Sequence, residues 1–69
     1  MGGINEMKKT YFTVTTNTVS SEYVIKAMDP AFSMYDSMCH SIAELMARIT
    51  YITKMVQAKN KVKACFIFE

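Results

Sequence analysis

The sequence predicts an α+β domain: a small antiparallel sheet of about four strands, in the order β-β-β-α-β, with one helix packed on one face. Three observations carry this expectation. KKTYFTVTT at 8–16 is rich in aromatic and β-branched residues, which suit a pleated surface. SIAELMARITYITKMV at 41–56 places Ile42, Leu45, Ile49, Ile52 and Val56 at steps of three and four, one face of an α-helix. KVKACFIFE at 61–69 closes the chain with an apolar alternation. An alternative order, β-β-α-β with a longer helix, depends on residues 31–40.

The elements follow in order. Residues 1–7 read as a flexible leader and 8–69 as a single small α+β domain. In the first strand Phe12 and Val14 point to one face, and Tyr11, Thr13 and Thr15 to the other. NTVSS at 17–21 has turn chemistry without glycine, which calls for a connection longer than two residues. EYVIKAM at 22–28 reads as a second strand, with Tyr23, Ile25 and Ala27 on one face, although Ser20 or Ser21 would equally cap a short helix. Asp29-Pro30 stops it, because proline cannot donate to a ladder.

AFSMYDSMCH at 31–40 admits two readings. One is a third strand, with Phe32, Met34 and Asp36 opposite Ser33 and Tyr35. The other runs the helix backwards to Pro30, with Asp29 as its N-cap. The strand is preferred, because Ser41-Ile42-Ala43-Glu44 fits a capping box just ahead of the periodic run. The helix then spans about 41–59, with Asn60 suited to a left-handed C-cap and Lys54 and Lys59 to the negative end of the dipole. In the closing strand Val62, Ala64, Phe66 and Phe68 line one face, and Cys65 and Ile67 the other. Apolar residues on both sides suggest a central strand, or an edge covered by a partner.

Size and composition narrow the classes of function. A 69-residue chain holds one domain, and one this short buries only roughly 60% of its unfolded surface. Such domains usually gain stability from a disulfide framework, a metal or another chain. The two cysteines, Cys39 and Cys65, make no framework, and MGGINEMKK has no apolar core to direct export. Reduced thiols in a cytoplasmic protein are therefore expected, which leaves homo-oligomerisation as a dimer or larger. One helix covers one sheet face, so aromatics on the other, drawn from Tyr11, Tyr23 and Phe66 according to register, also call for a cover. No apolar run reaches the ~18 residues of a membrane span. The net charge of +2 is too small to imply a nucleic-acid partner by itself.

Few residues carry reaction chemistry. His40 is the only histidine, and its neighbour Cys39 would diverge from it by about 100° on a helix, which argues against a Cys-His dyad. Asp36, His40 and Glu44 form a metal-competent row only if the helix runs backwards. Otherwise Glu44 is a solvated residue suited to pairing with Arg48. Glycines at 2 and 3 alone make no phosphate loop. No catalytic residue, metal or cofactor is expected. Lys54, Lys59, Lys61 and Lys63 occur without an intervening acid and are candidate phosphate contacts. Seven methionines are many for this length, and methionine serves both irregular cores and adaptable binding surfaces. Met46 widens the helix stripe on one flank. On the other, Arg48, Tyr51 and Met55 form a cluster that suits a partner-binding or oligomer interface.

The order strand, Tyr23-x-Ile25 strand, Pro30 turn, short strand and Ser41-Ile42-Ala43-Glu44 cap resembles the N-terminal module of HicB-type antitoxins, over residues 11–50. The family's turn glycines have no counterpart here. The resemblance implies a small oligomeric module that binds and neutralises another protein. The expected function is accordingly a non-enzymatic homo-oligomer that binds and inhibits or regulates a protein partner, either antitoxin-like or as a phage-encoded inhibitor of a bacterial defence system. Two alternatives stand beside it. One is a nucleic-acid-binding regulator using the Lys54–Lys63 run. The other is a binder of a small, nucleotide-like ligand with its pocket at a subunit interface.

Overall fold

The computed structural model describes residues 8–69; the leader expected at 1–7 lies outside the described residues. Four strands, β1 (Lys8–Asn17), β2 (Glu22–Ala27), β3 (Ser37–Cys39) and β4 (Val62–Phe68), form one sheet, and a single long helix, α1 (Ile42–Asn60), packs on it. The domain is α+β, with the strand order β3-β2-β1-β4 across the sheet.

β1 and β2 form an antiparallel hairpin in which Phe12 lies opposite Ala27 and Val14 opposite Ile25. The four residues between them turn without glycine. The Asn17 side-chain oxygen accepts from the Val19 and Ser20 amides at 3.1 and 3.3 Å, and Ser21 takes the left-handed conformation at φ 57°. β3 adds antiparallel to β2, so it runs in the direction of β1. α1 then carries the chain back across the sheet, and β4 enters beside β1 in parallel. The sheet is therefore mixed rather than wholly antiparallel, and the helix is the long crossover that a parallel neighbour requires.

The side of the sheet that faces α1 holds the core. Phe12, Val14, Ile25, Cys39 and Ala64 come from the strands; Leu45, Ile52 and Val56 come from the helix. Alternation along the strands places Tyr23 and Phe66 on this side as well, partly buried against the core. Of the three aromatics weighed for the opposite face, only Tyr11 lies there, with Val24, Met38, Cys65 and Ile67.

Two further expectations are corrected, and one left open is decided. Residues 30–35 form a short 3-10 helix, Pro30–Tyr35, and only Ser37–Cys39 joins the sheet. Asp29 caps that helix by accepting from the Ala31 amide at 2.9 Å, with Pro30 in its first turn. Its one buried residue, Phe32, enters the core, which an extended path from Pro30 would not allow. Of the two positions left open for β4 it takes the edge, because the crossover lands it outside β1. Finally, the left-handed residue after α1 is Lys61, at φ 57° and ψ 39°, and Asn60 completes the helix instead; the Lys61 amide donates to the Gln57 carbonyl at 3.0 Å.

Candidate partner-binding groove

The start of α1 is set locally. Ser41 Oγ accepts from the Glu44 amide at 3.0 Å, and Glu44 Oε1 turns back to accept from the His40 amide at 2.6 Å. This is the capping-box exchange, reaching one residue further back than its usual form. With Glu44 so engaged, Arg48 makes no ion pair among the described residues, and its guanidinium lies over the Tyr51 ring at 5.5 Å from the centroid.

From that start, the helix period sets two stripes side by side. Leu45, Ile52 and Val56 are buried, and Ile49 is half-buried. Ile42, at the first turn, is 63% exposed, so the seam reaches the sheet only from Leu45 onward. On one flank Arg48, Tyr51, Met55 and Lys59 follow each other at helical steps. They face Met34 and Tyr35 of the 3-10 helix, Asp36 after it, and the backbone of Ser37 and Met38 at the start of β3. Together these residues line an open groove of about 480 Å³.

The far wall is held by its own hydrogen bonds. Asp36 Oδ1 accepts from the Ala27 amide at 2.8 Å, satisfying the β2 backbone just beyond the point where β3 ends. The Asp36 amide donates to the Ser33 carbonyl at 3.0 Å, and Ser37 Oγ donates to the Tyr35 carbonyl at 2.9 Å. Met34 is largely exposed and Tyr51 is 47% exposed, whereas Tyr35 and Met55 are half-buried. Arg48 and Lys59 outnumber the one carboxylate of the lining, Asp36, whose Oδ1 accepts from the Ala27 amide, so the groove carries a net positive charge. Such a lining suits an apolar side chain flanked by carboxylates, and it presents no nucleophile paired with a base.

The structure thus brings Arg48, Tyr51 and Met55 into one groove and adds Lys59 to them. It separates the other lysines. Lys54 projects from the outer side of α1, half a turn from the buried stripe. Lys61 occupies the turn after the helix, and Lys63 lies on the open face of the sheet opposite Lys9. The row Asp36, His40 and Glu44 does not form, because α1 begins at Ile42. His40 Nδ1 instead lies 3.7 Å from a Glu22 carboxylate oxygen. Of the wall from Met34 to Met38, the sequence favoured a strand throughout, and only Ser37 and Met38 belong to one. Asp29-Pro30 was legible both as a strand stop and as the cap of a helix running on into α1, and the structure makes it the cap of a separate short 3-10 helix.

Both thiols are unpaired. Cys39 is on one edge strand and faces the helix, while Cys65 is on the other edge and faces away, so an internal disulfide is excluded by geometry. None of the described helices is long and apolar enough to cross a membrane. No family model matches this chain, and no curated protein or solved structure is significantly similar to it.

Proposed function

We propose that this protein is a non-enzymatic, homo-oligomeric interaction module of the cytoplasm that binds and inhibits or regulates another protein. The antitoxin modules it resembles and phage-encoded inhibitors of bacterial defence systems are two forms of that activity. One observation carries the reading: the Arg48–Tyr51 stack and Met55 line the same groove as Met34 and Tyr35. Arginine, tyrosine and methionine are enriched where proteins meet, and unbranched methionines adapt to a partner's shape. Arg48 and Lys59, set against the single carboxylate of Asp36, favour a partner segment that sets an apolar anchor beside an acidic residue.

The nucleic-acid alternative rested on one basic run, and its lysines are spread over the outer helix, the groove, a turn and the open sheet face. A shallow salt dependence of any nucleic-acid binding is expected, since few phosphates would be neutralised at once.

Capture from the native host tests the proposal. The wild-type chain should retain a specific protein. Tyr51→Ala with Met55→Ala should lose it, while helical circular dichroism stays close to wild type, because Tyr51 is exposed over nearly half its surface and Met55 lies beside the core rather than in it. Equal retention by both proteins would remove the groove from the interaction. Unfolding of the double variant would make the flank part of the core.

A further inference from the structure

The two edges of the sheet differ. β3 is three residues long and is preceded by the 3-10 helix, so it offers little to a new strand. β4 is seven residues long, pairs with β1 without a bulge, and contains no proline. Its only charge is Lys63. The Glu69 amide donates to the Val14 carbonyl at 2.9 Å, so the odd-numbered residues of β4 bond inward to β1. The amides and carbonyls of Val62, Ala64, Phe66 and Phe68 therefore point outward, along an unpaired edge. Beside that edge, Phe68 is 63% exposed, and the α1 flank opposite the groove carries the exposed Ile42 and Met46.

We infer that β4 pairs antiparallel with β4 of a second copy about a two-fold axis through Cys65, joining two sheets into one with both helices on the same side. This rests on the reading of the chain as a homo-oligomer and gives that oligomer its interface. The sequence of the strand is self-complementary in this register. Ala64 meets Phe66 of the second copy, and Val62 meets Phe68, through the residues whose backbone groups face outward. Lys63 meets Ile67, so no like charges oppose each other. At both ends Lys61, in the turn just before the strand, comes near Glu69, whose carboxylate accepts from Thr15 Oγ1 at 3.1 Å within its own chain; the symmetry repeats this proximity of opposite charges. Cys65 meets its own copy as a non-hydrogen-bonded pair, with Cα atoms about 4.5 Å apart. A register centred on Phe66 would set Lys63 opposite Glu69, but it leaves Val62 unpaired and moves Cys65 away from its copy. In the Cys65-centred dimer the α1 flanks bearing Met46 and Ile49 face each other across the joint, and the grooves lie on the outer sides, open to other partners.

The test uses the full chain, with mass by sedimentation and a short bis-maleimide crosslinker mapped by peptide mass spectrometry. A dimer with Cys65 linked to Cys65 is expected. Lys61→Glu, which brings two carboxylates near each other at each end, should weaken the dimer roughly tenfold. Adding Glu69→Lys should restore it. Both residues are exposed, and circular dichroism should be unchanged. A monomer at all concentrations overturns this interface and the homo-oligomeric reading together. A dimer that gives no Cys65–Cys65 link, while Cys65 still reacts with a monofunctional maleimide, overturns the interface and leaves the oligomer standing. So does a dimer that the charge variants leave intact and Tyr51→Ala with Met55→Ala dissolves.

Discussion

Phe12 and Phe66 stack across the β1–β4 joint, with ring centroids 5.2 Å apart and planes inclined by 18°. Phe12 is fully buried at the centre of the sheet, and Phe66 is partly covered on the edge strand. The pair ties the last element of the chain to the first, across a parallel ladder that no local turn enforces. Offset stacking is worth about 0.5–1.5 kcal/mol beyond the area it buries. A double-mutant cycle of Phe12→Leu and Phe66→Leu in urea should give a coupling of that size. Additive effects would mean that the rings share a core without a specific interaction.

The helix seam should not be energetically uniform. Ile52 is fully buried, Ile49 is half-buried and Ile42 is mostly exposed. Ile52→Ala should cost ~2–5 kcal/mol, enough to unfold a marginal domain. Ile49→Ala should cost clearly less, and Ile42→Ala should stay within about 0.5 kcal/mol. Denaturation midpoints rank the three, and an Ile42→Ala loss as large as that of Ile52→Ala would contradict the burial order.

Thr10 lies beside Ala64 on the helix side of the sheet, 5% exposed, and its hydroxyl has no hydrogen-bond partner among the described residues. A buried polar group left unpaired costs about 1–3 kcal/mol. Thr10→Val keeps the β-branched shape and removes that cost, so thermal or urea unfolding should show a gain of about 1 kcal/mol. A loss of stability would reveal an acceptor for the hydroxyl.

Burial pushes the Cys39 thiol above its ordinary value of 9.0; the nearby Glu44 carboxylate adds to the rise, and Arg48 opposes it. Below pH 9.0 the thiol is protonated in both folded and unfolded chains, and stability does not depend on it. Above that pH the unfolded chain gives up the proton first, so stability falls until the folded-state thiol titrates too. Wild type should therefore lose more stability than Cys39→Ala on going from neutral to strongly alkaline pH. Parallel pH profiles would remove the effect. Cys39 should also alkylate more slowly than the partly exposed Cys65.

What the sequence determined by itself was local. The steps from Ile42 to Val56 and the Ser41–Glu44 exchange defined α1 to within a residue or so, because a helix is closed by bonds four residues apart and its cap by bonds three apart. Alternation placed Phe12 and Val14 inward for the same reason, since one strand's faces need no knowledge of its neighbours. The flank of Arg48, Tyr51 and Met55 was legible as a helical neighbourhood. The tertiary structure alone decided what lies across from it. Asp29-Pro30 fits a strand stop and a helix start equally well, and Phe32 settles the choice by finding the core, a contact made with distant residues. The same holds for β4, whose apolar alternation suits a central or an edge position. Its place beside β1 depends on where the α1 crossover lands, which is a matter of chain path and sheet order rather than of any short stretch of residues.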